Sequence, residues 1–140
     1  MPLPDKLTLE IVTPDRALVS EQVDEVQVSG AEGSFGVLPG HTPLLATLQV
    51  GEFWYRRGQE KAYVAVSFGF AEVLPDRVTI LAQLAEPAEE IDVTRAEAAE
   101  KRARARMDQG LVDMDVERAR LAMLKALVRL KVATRARILG

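Results

Sequence analysis

The amino-acid sequence predicts an α+β protein in two domains, an N-terminal antiparallel β-sandwich followed by a C-terminal antiparallel α-helical hairpin. Two observations support this prediction. Residues 1–86 contain many short stretches in which apolar and polar side chains alternate between Gly and Pro turns, which is typical of strands with one buried face. From Glu86-Pro87-Ala88 onward, the composition changes to Ala, Glu and Arg with a helical repeat. The predicted domains are therefore 1–86 and 87–140.

Alternation predicts the strands one by one. Leu7, Leu9 and Ile11 share one side of a first strand over residues 6–12, as expected for a strand that is buried on one face. The other predicted strands are 16–19, 23–29, 44–48, 51–57, 61–67, 71–74 and 78–84. Because no helical segments lie between these strands, the pattern favours a sandwich over a parallel α/β sheet.

The segment 33–45, GSFGVLPGHTPLL, is predicted to form a tight corner between strands. Gly36 and Gly40 tolerate positive φ and Pro39 fixes φ, so the backbone is pre-shaped for a turn. His41, the single histidine of the chain, follows directly. Because no second histidine and no cysteine accompany it, a turn contact or a surface contact is favoured over a general base or a metal ligand.

The predicted hairpin begins with Asp92 or Thr94 as the helix N-cap. Gly110 suits the end of the first helix, and Asp115 is a candidate cap for a second helix over residues 116–138. Alanine-rich seams on both helices predict close antiparallel packing. The seam residues are Ala96, Ala99, Ala103 and Met107 on the first helix and Ala119, Met123, Ala126, Leu130 and Ala133 on the second.

The second helix has another apolar face, formed by Leu121, Leu124 and Val128. For a generic domain, we favour packing of this face against the sandwich. The alternative is a two-state element, in which the face contacts the sandwich when the hairpin is folded down and another subunit when it is extended. A seam of methyl groups buries little area, and such marginal stability favours the second interpretation.

Charge divides the chain in two. Residues 1–86 hold 6 Lys and Arg against 12 Asp and Glu, whereas residues 87–140 hold 12 against 9. No acid follows Glu117, and the basic final helix could dock on the acidic sandwich or on an acidic partner.

The chain has no cysteine, which excludes disulfides and thiolate metal sites. No apolar run approaches the roughly 18 residues of a membrane span, so we expect a soluble chain.

Two basic stripes run beside the alanine seams, and they comprise Arg95, Arg102 and Arg106 on the first helix and Arg118, Lys125 and Arg129 on the second. If both stripes flank the same side of the hairpin, an anion would relieve the repulsion between them. A solvated charged face is the alternative. Nucleic-acid binding is not expected, because the domain that holds Trp54 and Tyr55 is acidic. No catalytic set can be assembled, so an enzyme is not expected.

The corner and the start of the first helix together resemble the epsilon subunit of rotary F-type ATP synthases. The corner is similar to that family's pattern Gly-x-x-Gly-(Ile/Val)-x-Pro-Gly-His-x-Pro-Leu-Leu, and Ile91, Asp92, Arg95 and Ala96 match its Ile-Asp-x-x-Arg-Ala motif. The resemblance covers essentially all of the sequence. It implies a non-catalytic central-stalk subunit that couples rotation between the gamma subunit and the c-ring and inhibits ATP hydrolysis through its C-terminal helices.

The resemblance also implies site residues. The rotor interface would comprise Gly36, Pro39, Gly40 and His41. The inhibitory basic helix, which would meet an acidic region of the beta and alpha subunits when the hairpin is extended, would use Arg118, Lys125, Arg129 and Arg135. The resemblance implies that the chain is peripheral to a membrane through the complex. Because no transit peptide is recognised and the composition is rich in Ala and Arg, we expect the cytoplasmic face of a bacterial cell membrane.

Some members of the family bind ATP through this motif and arginines on both helices. The matching positions are Ile91, Asp92, Arg95, Ala96, Arg102, Lys125 and Arg129. Lys125 stands where those binders have arginine, and lysine lacks the planar fork that suits phosphate. We therefore expect weak regulatory ATP binding and no required cofactor. The alternative function is a stand-alone ATP-sensing protein, which would not co-purify with gamma.

Overall fold

The computed structural model describes residues 3–109 and 113–139. In these residues the chain forms eight strands, a short 3-10 helix and two α-helices. The strands are β1 (Leu7–Val12), β2 (Ala17–Val23), β3 (Glu25–Gly30), β4 (Gly33–Val37), β5 (Leu44–Leu48), β6 (Gly51–Arg57), β7 (Glu60–Leu74) and β8 (Arg77–Pro87). The helices are the 3-10 helix Ala88–Glu90, α1 (Val93–Met107) and α2 (Asp113–Leu139).

The strands pair in the order β2-β1-β8-β7-β5-β3-β4, and β6 pairs with both β3 and β7. All the pairs are antiparallel except β1 with β8, which is parallel. The first half of β7 pairs with β6 and its second half pairs with β5. Because one long strand takes part in both halves of the pairing, β7 ties the sandwich together. The predicted sandwich and helical hairpin are confirmed.

The continuity of β7 corrects the prediction of two strands at 61–67 and 71–74. Phe68 and Gly69 interrupt the alternation with positive φ values of 59° and 136°, yet pairing with β8 continues in the same register on both sides of them. A Cβ at Gly69 would overlap the carbonyl oxygen of Leu81, so the close approach of β8 requires glycine there. The local turn of the backbone hid the strand from the pattern.

The predicted corner is also partly a strand. Gly33–Val37 forms β4 and pairs with β3, with Phe35 opposite Val28. The prediction of a corner over the whole segment 33–45 was therefore wrong in its first part, because Gly and Ser residues masked the alternation. β2 runs to Val23, beyond the predicted 16–19, and β8 likewise extends past residue 84.

The sandwich core is formed by the inward faces of the strands, as the alternation predicted. Leu7 and Leu9 are completely buried, Ile11 nearly so, and Phe53 is the largest fully buried side chain. Other core members are Val23, Val26, Val28, Val37, Leu48, Val64, Val66, Val73, Val78 and Ile80. This core holds the strands that present the corner and the docking surface of the hairpin.

The first helix is capped by Asp92, whose carboxylate accepts the backbone N–H of Arg95 at 3.0 Å. Of the two predicted caps, Asp92 is confirmed, whereas Thr94 lies inside α1. The second helix begins at Asp113, so Asp115 lies within it and its predicted capping role is wrong. α2 therefore begins before the predicted start at residue 116. Gly110 lies outside the described residues.

The alanine seams pack the two helices against each other. The alanines at 96, 103, 119, 126 and 133 are buried, which confirms the predicted contact. α2 also packs on the outer face of the sandwich, chiefly against β7 and β6. A second apolar cluster lies at this contact and comprises Tyr63, Ala65, Ala88, Ile91, Val132 and Ala133. We call it the docking cluster. The hairpin is therefore folded down on the sandwich.

Only part of the predicted second face takes part in this contact. Val128 packs against the docking cluster, whereas Leu124 is 43% exposed. Leu127, which the predicted face did not include, is 42% exposed. The apolar surface of α2 is thus wider than the sandwich covers. This leaves leucine side chains on the outer side of the docked helix.

Candidate functional site

The turn at the corner is held by two backbone hydrogen bonds. Gly40, with a φ of 88°, donates its N–H to the carbonyl oxygen of Pro75 at 2.7 Å. His41 donates its N–H to the carbonyl oxygen of Leu38 at 3.1 Å. A Cβ at Gly40 would also lie 3.1 Å from a methyl of Leu3. The bond to Pro75 anchors the corner to the β7–β8 turn, so the corner is a rigid projection of the sandwich.

His41 sits within this turn as a half-buried side chain. Its Nδ1 lies 2.6 Å from the carbonyl oxygen of Thr42, and since a carbonyl only accepts, Nδ1 carries the proton of this bond. The imidazole also lies 6.5 Å from the ring of Phe35, centroid to centroid. No group of His, Cys, Asp or Glu suited to a metal occurs among residues 3–109 and 113–139. The arrangement suits a contact residue.

The other predicted interface residues lie beside this turn. Gly36 is on β4, an edge strand, where a Cβ would lie 3.2 Å from Oε1 of Gln27. Pro39 and Gly40 are half-buried within the turn itself. The fold therefore brings Gly36, Pro39, Gly40 and His41 together at one end of the sandwich.

Exposed leucines surround this end, and the motif alone did not single them out. Leu38, Leu44 and Leu45 are 54%, 41% and 71% exposed. A cleft of about 490 Å³ opens between the β3–β4 hairpin and β5, with Phe35, Leu44 and Leu45 in its walls. Ala31 donates its N–H to the carbonyl oxygen of Thr47 at 2.8 Å, and this hydrogen bond joins the two walls of the cleft. The Leu44-Leu45 pair at the end of the segment 33–45 was the sequence signal for this surface.

A second exposed apolar feature lies next to the corner on the outer face of the sheet. Phe70 on β7 and Leu81 on β8 are direct cross-strand partners, and each is 53% exposed. Leu45 on β5 is a diagonal neighbour of Phe70, because Thr47 pairs with Phe70 and alternate residues share a face. We call Leu45, Phe70 and Leu81 the outer patch. Only the strand register reveals it, because Leu81 is distant in sequence from the corner.

The predicted nucleotide residues at the start of the hairpin have structural roles. Asp92 caps α1, Ile91 belongs to the docking cluster and Ala96 is completely buried in the seam. Arg95 and Arg102 are exposed on α1. Neither the cleft of about 490 Å³ nor a cleft of about 350 Å³ beside Trp54 is lined by these side chains. The ATP assignment therefore stays a prediction.

Two predicted cations of α2, Arg129 and Arg135, pair with carboxylates of the sandwich instead. Arg129 places Nε 2.8 Å from Oε1 of Glu86 and donates from its terminal nitrogen to Oε2 at 3.1 Å. Arg135 donates to Glu52 at 3.3 Å and lies over the ring of Tyr63.

Two further α2 cations were predicted to act in inhibition. Lys125 has its Nζ 5.7 Å from the ring centroid of Phe68. Arg118 is exposed. Of the predicted inhibitory residues, Arg118 alone makes no hydrogen bond, ion pair or ring contact with the described part of the sandwich.

No helix in the described part of the chain is both long enough and apolar enough to cross a membrane.

Two family models match the chain. The model of the ATP synthase delta/epsilon chain β-sandwich domain matches residues 6–88, and that of its long α-helix domain matches residues 89–134. The β-sandwich and the helices are therefore both accounted for by one family.

Known proteins agree with this match. The ATP synthase epsilon chain of Syntrophobacter fumaroxidans is 53% identical over 92% of this chain and 96% of its own length. A chain in the cryo-EM structure of the Euglena gracilis mitochondrial ATP synthase, OSCP/F1/c-ring, has a TM-score of 0.82 at 26% identity, covering 99% of this chain and 84% of that one.

A more distant similarity extends the agreement in fold. A chain in the central stalk/c-ring structure of the Tetrahymena thermophila mitochondrial ATP synthase has a TM-score of 0.61 at 17% identity, with 94% of this chain and 96% of that one covered. At this identity the similarity concerns the fold alone. The family models and the epsilon chain relative decide the assignment: this chain belongs to the delta/epsilon chain family of ATP synthases, among the epsilon chains.

Proposed function

We propose that this chain is the non-catalytic subunit that couples rotation between the gamma subunit and the c-ring, and that its C-terminal helices inhibit ATP hydrolysis. One observation supports this most strongly. The hairpin covers the β6–β7 side of the sandwich and leaves both the corner and the outer patch exposed. The chain thus has one surface for permanent assembly and a separate helical element for regulation.

The rotor interface is proposed at the corner and the outer patch. Phe70 and Leu81 form an exposed cross-strand pair. Burying their apolar surface against a partner would stabilise the complex by about 25 cal/mol per Å². The hydrogen bond between Gly40 and Pro75 keeps the corner fixed to the sheet, and a coupling element has to transmit torque without yielding. His41, half-buried in the same turn, would contact the partner with its ring edge.

The inhibitory role is proposed for α2 in an extended hairpin. No acidic residue follows Glu117 in the chain, so the last turns of α2 would be attracted to an acidic region of the beta and alpha subunits. The leucines at 124 and 127 are exposed in the docked state and would bury apolar area on the new partner. Exposed apolar surface on the docked helix favours its transfer to a partner that buries this surface.

Nucleotide is given a minor part in this proposal. Arg129 already pairs with Glu86, so ATP would have to displace a carboxylate to engage this guanidinium. We therefore propose that ATP binds weakly and that no cofactor is required for coupling. We also propose that the chain lies at the cytoplasmic face of a bacterial cell membrane, held there by the complex.

Deleting residues 88–140 tests the inhibitory role. ATP hydrolysis by the reconstituted complex is expected to rise, because the proposed brake is lost, while the sandwich stays bound to gamma. Hydrolysis rates and the amount of gamma that co-purifies are measured for the truncated and full-length chains. Unchanged hydrolysis with gamma still bound would refute the brake. If the full-length chain binds ATP but does not retain gamma, it is a stand-alone ATP sensor.

A further inference from the structure

Three cations on α2 contact the sandwich. Arg129 reaches Glu86 at the end of β8, Arg135 reaches Glu52 on β6, and Lys125 lies over the ring of Phe68 on β7. At 3.6 residues per turn, positions 125, 129 and 135 fall within about one third of the helix circumference. They therefore form one row along the docked face, which we call the cation row (Lys125, Arg129 and Arg135).

The carboxylates that meet this row are poorly exposed. The side chains of Arg129 and Glu86 are 21% and 23% exposed, and the side chain of Glu52 is 12% exposed. Pairs shielded from water in this way are screened less than surface pairs, and a charge left without its partner there is costly. By contrast, Arg120 and Glu117, which pair within α2, are 64% and 70% exposed. Of the two pairs that bridge to the sandwich, Arg129–Glu86 is shielded on both sides, whereas in the other pair Glu52 is shielded and Arg135 is 47% exposed.

The third contact of the row involves a backbone that is unusual for its residue type. Phe68 has a φ of 59°, a conformation that a bulky side chain adopts only when its surroundings enforce it. Its N–H donates to the carbonyl oxygen of Gln49 at 3.4 Å. The ammonium of Lys125 above the ring adds an attraction that is available only while α2 is docked. Lysine at this position thus has a role within the chain itself.

We propose that the cation row holds the hairpin down on the chain's own carboxylates, Glu86 and Glu52, so that docking needs no nucleotide. These carboxylates take the place that an anionic ligand or an acidic partner surface would otherwise occupy on the row. Extension of the hairpin then requires an exchange of carboxylate partners. This inference rests on the proposed inhibitory role and identifies the contacts that keep the inhibitory helix docked. It gives the acidic sandwich a specific function.

The single tryptophan of the chain reports the docked state directly. Trp54 packs at the margin of the docking cluster, and it lines the cleft of about 350 Å³ that Val128 and Lys131 of α2 help to form. Release of α2 would open this cleft to water and expose the indole. Emission maximum, acrylamide quenching and amide hydrogen exchange along residues 115–135 therefore measure docking in the isolated full-length chain.

Glu86→Gln is the decisive variant. It is expected to raise the released population about tenfold, because Arg129 loses its carboxylate in a shielded position. Trp54 emission should shift to the red, and α2 amides should exchange correspondingly faster. Glu117→Gln is the matched control, because it removes an ion pair of α2 that does not touch the sandwich, and it should leave both readouts unchanged.

A charge-reversed pair separates a specific contact from a general loss of stability. Glu86→Arg combined with Arg129→Glu should restore much of the docking that Glu86→Gln loses, because the ion pair is kept with its two charges exchanged. Glu52→Gln should also accelerate exchange in α2. Hydrogen exchange decides this case, because Glu52 is close to Trp54 on β6 and would affect its emission locally.

ATP supplies the remaining arm of the experiment. Millimolar ATP should leave emission and exchange of the unaltered chain unchanged. The proposal is overturned if the unaltered chain protects Trp54 only when ATP is added, or if Glu86→Gln behaves like Glu117→Gln. Neither outcome depends on ATP hydrolysis in the complex, so failure here is distinct from failure of the proposed inhibitory role.

Discussion

Removing two methyl groups from the docking cluster should release the hairpin. Val132 is completely buried and lies with Ile91 and Ala133 among the side chains that join α2 to the sandwich. Val132→Ala loses about 1.6 kcal/mol of transfer free energy, at about 0.8 kcal/mol per methylene-sized group, and a cavity term brings the total to about 2 kcal/mol. That cost falls on docking and corresponds to about a 30-fold shift toward the released hairpin.

The assay follows docking and unfolding separately. Amide exchange in α2 and quenching of Trp54 should increase in Val132→Ala, whereas exchange in β1 should stay slow, because Leu7 and Leu9 belong to the other cluster. Leu127→Ala is the control, since this side chain is 42% exposed in the docked state. If Val132→Ala and Leu127→Ala exchange at the same rate in α2, or if β1 opens together with α2, the hairpin is not a separately releasable element.

Two further predictions concern the sandwich. Gly69→Ala should destabilise the fold by about 3 kcal/mol or more, seen as a lower denaturant midpoint, because its Cβ would overlap the Leu81 carbonyl; an unchanged midpoint would contradict this backbone path. Asp24 has a pKa below the ordinary value of an aspartate, because its carboxylate accepts hydrogen bonds from Lys6 and from the N–H of Gly58. Its contribution to stability is therefore full above that value and is lost as pH falls through the lowered pKa. Asp24→Asn should be less stable than the unaltered chain at pH 7 in urea unfolding, and this gap should narrow as pH falls through the lowered pKa; a gap of unchanged size from pH 7 to pH 2 would refute the assignment.

The sequence predicted those elements whose alternation is uninterrupted. Leu7, Leu9 and Ile11 are buried as their spacing required, and Asp92 caps α1 as its residue type indicated. β7 could not be predicted as one strand, because Phe68 and Gly69 break the alternation and only pairing with β8 shows that the strand continues. Local pattern thus fails where a long-range backbone contact decides the conformation.

The candidate site shows the same limit. The corner motif located Gly40 and His41, and the fold placed them in one turn. The outer patch could not be found in the same way, because Phe70 and Leu81 become neighbours only through strand register. Likewise, the basic stripes did not reveal their carboxylate partners. Arg129 and Glu86 are 43 residues apart, and no short-range rule connects them.

The two kinds of contact under α2 explain how one helix can be both ordered and releasable. Half of the docking cluster is alanine, so its apolar area alone gives limited stabilisation. The cation row adds the shielded Arg129–Glu86 pair and the pair between Glu52 and the more exposed Arg135, but a partner with its own carboxylates can offer both arginines the same interaction. Exchange then costs mainly the apolar contact, and the exposed Leu124 and Leu127 can recover that cost on a new surface. A docking interface built only from large apolar side chains would lack this equivalence and would hold the hairpin permanently.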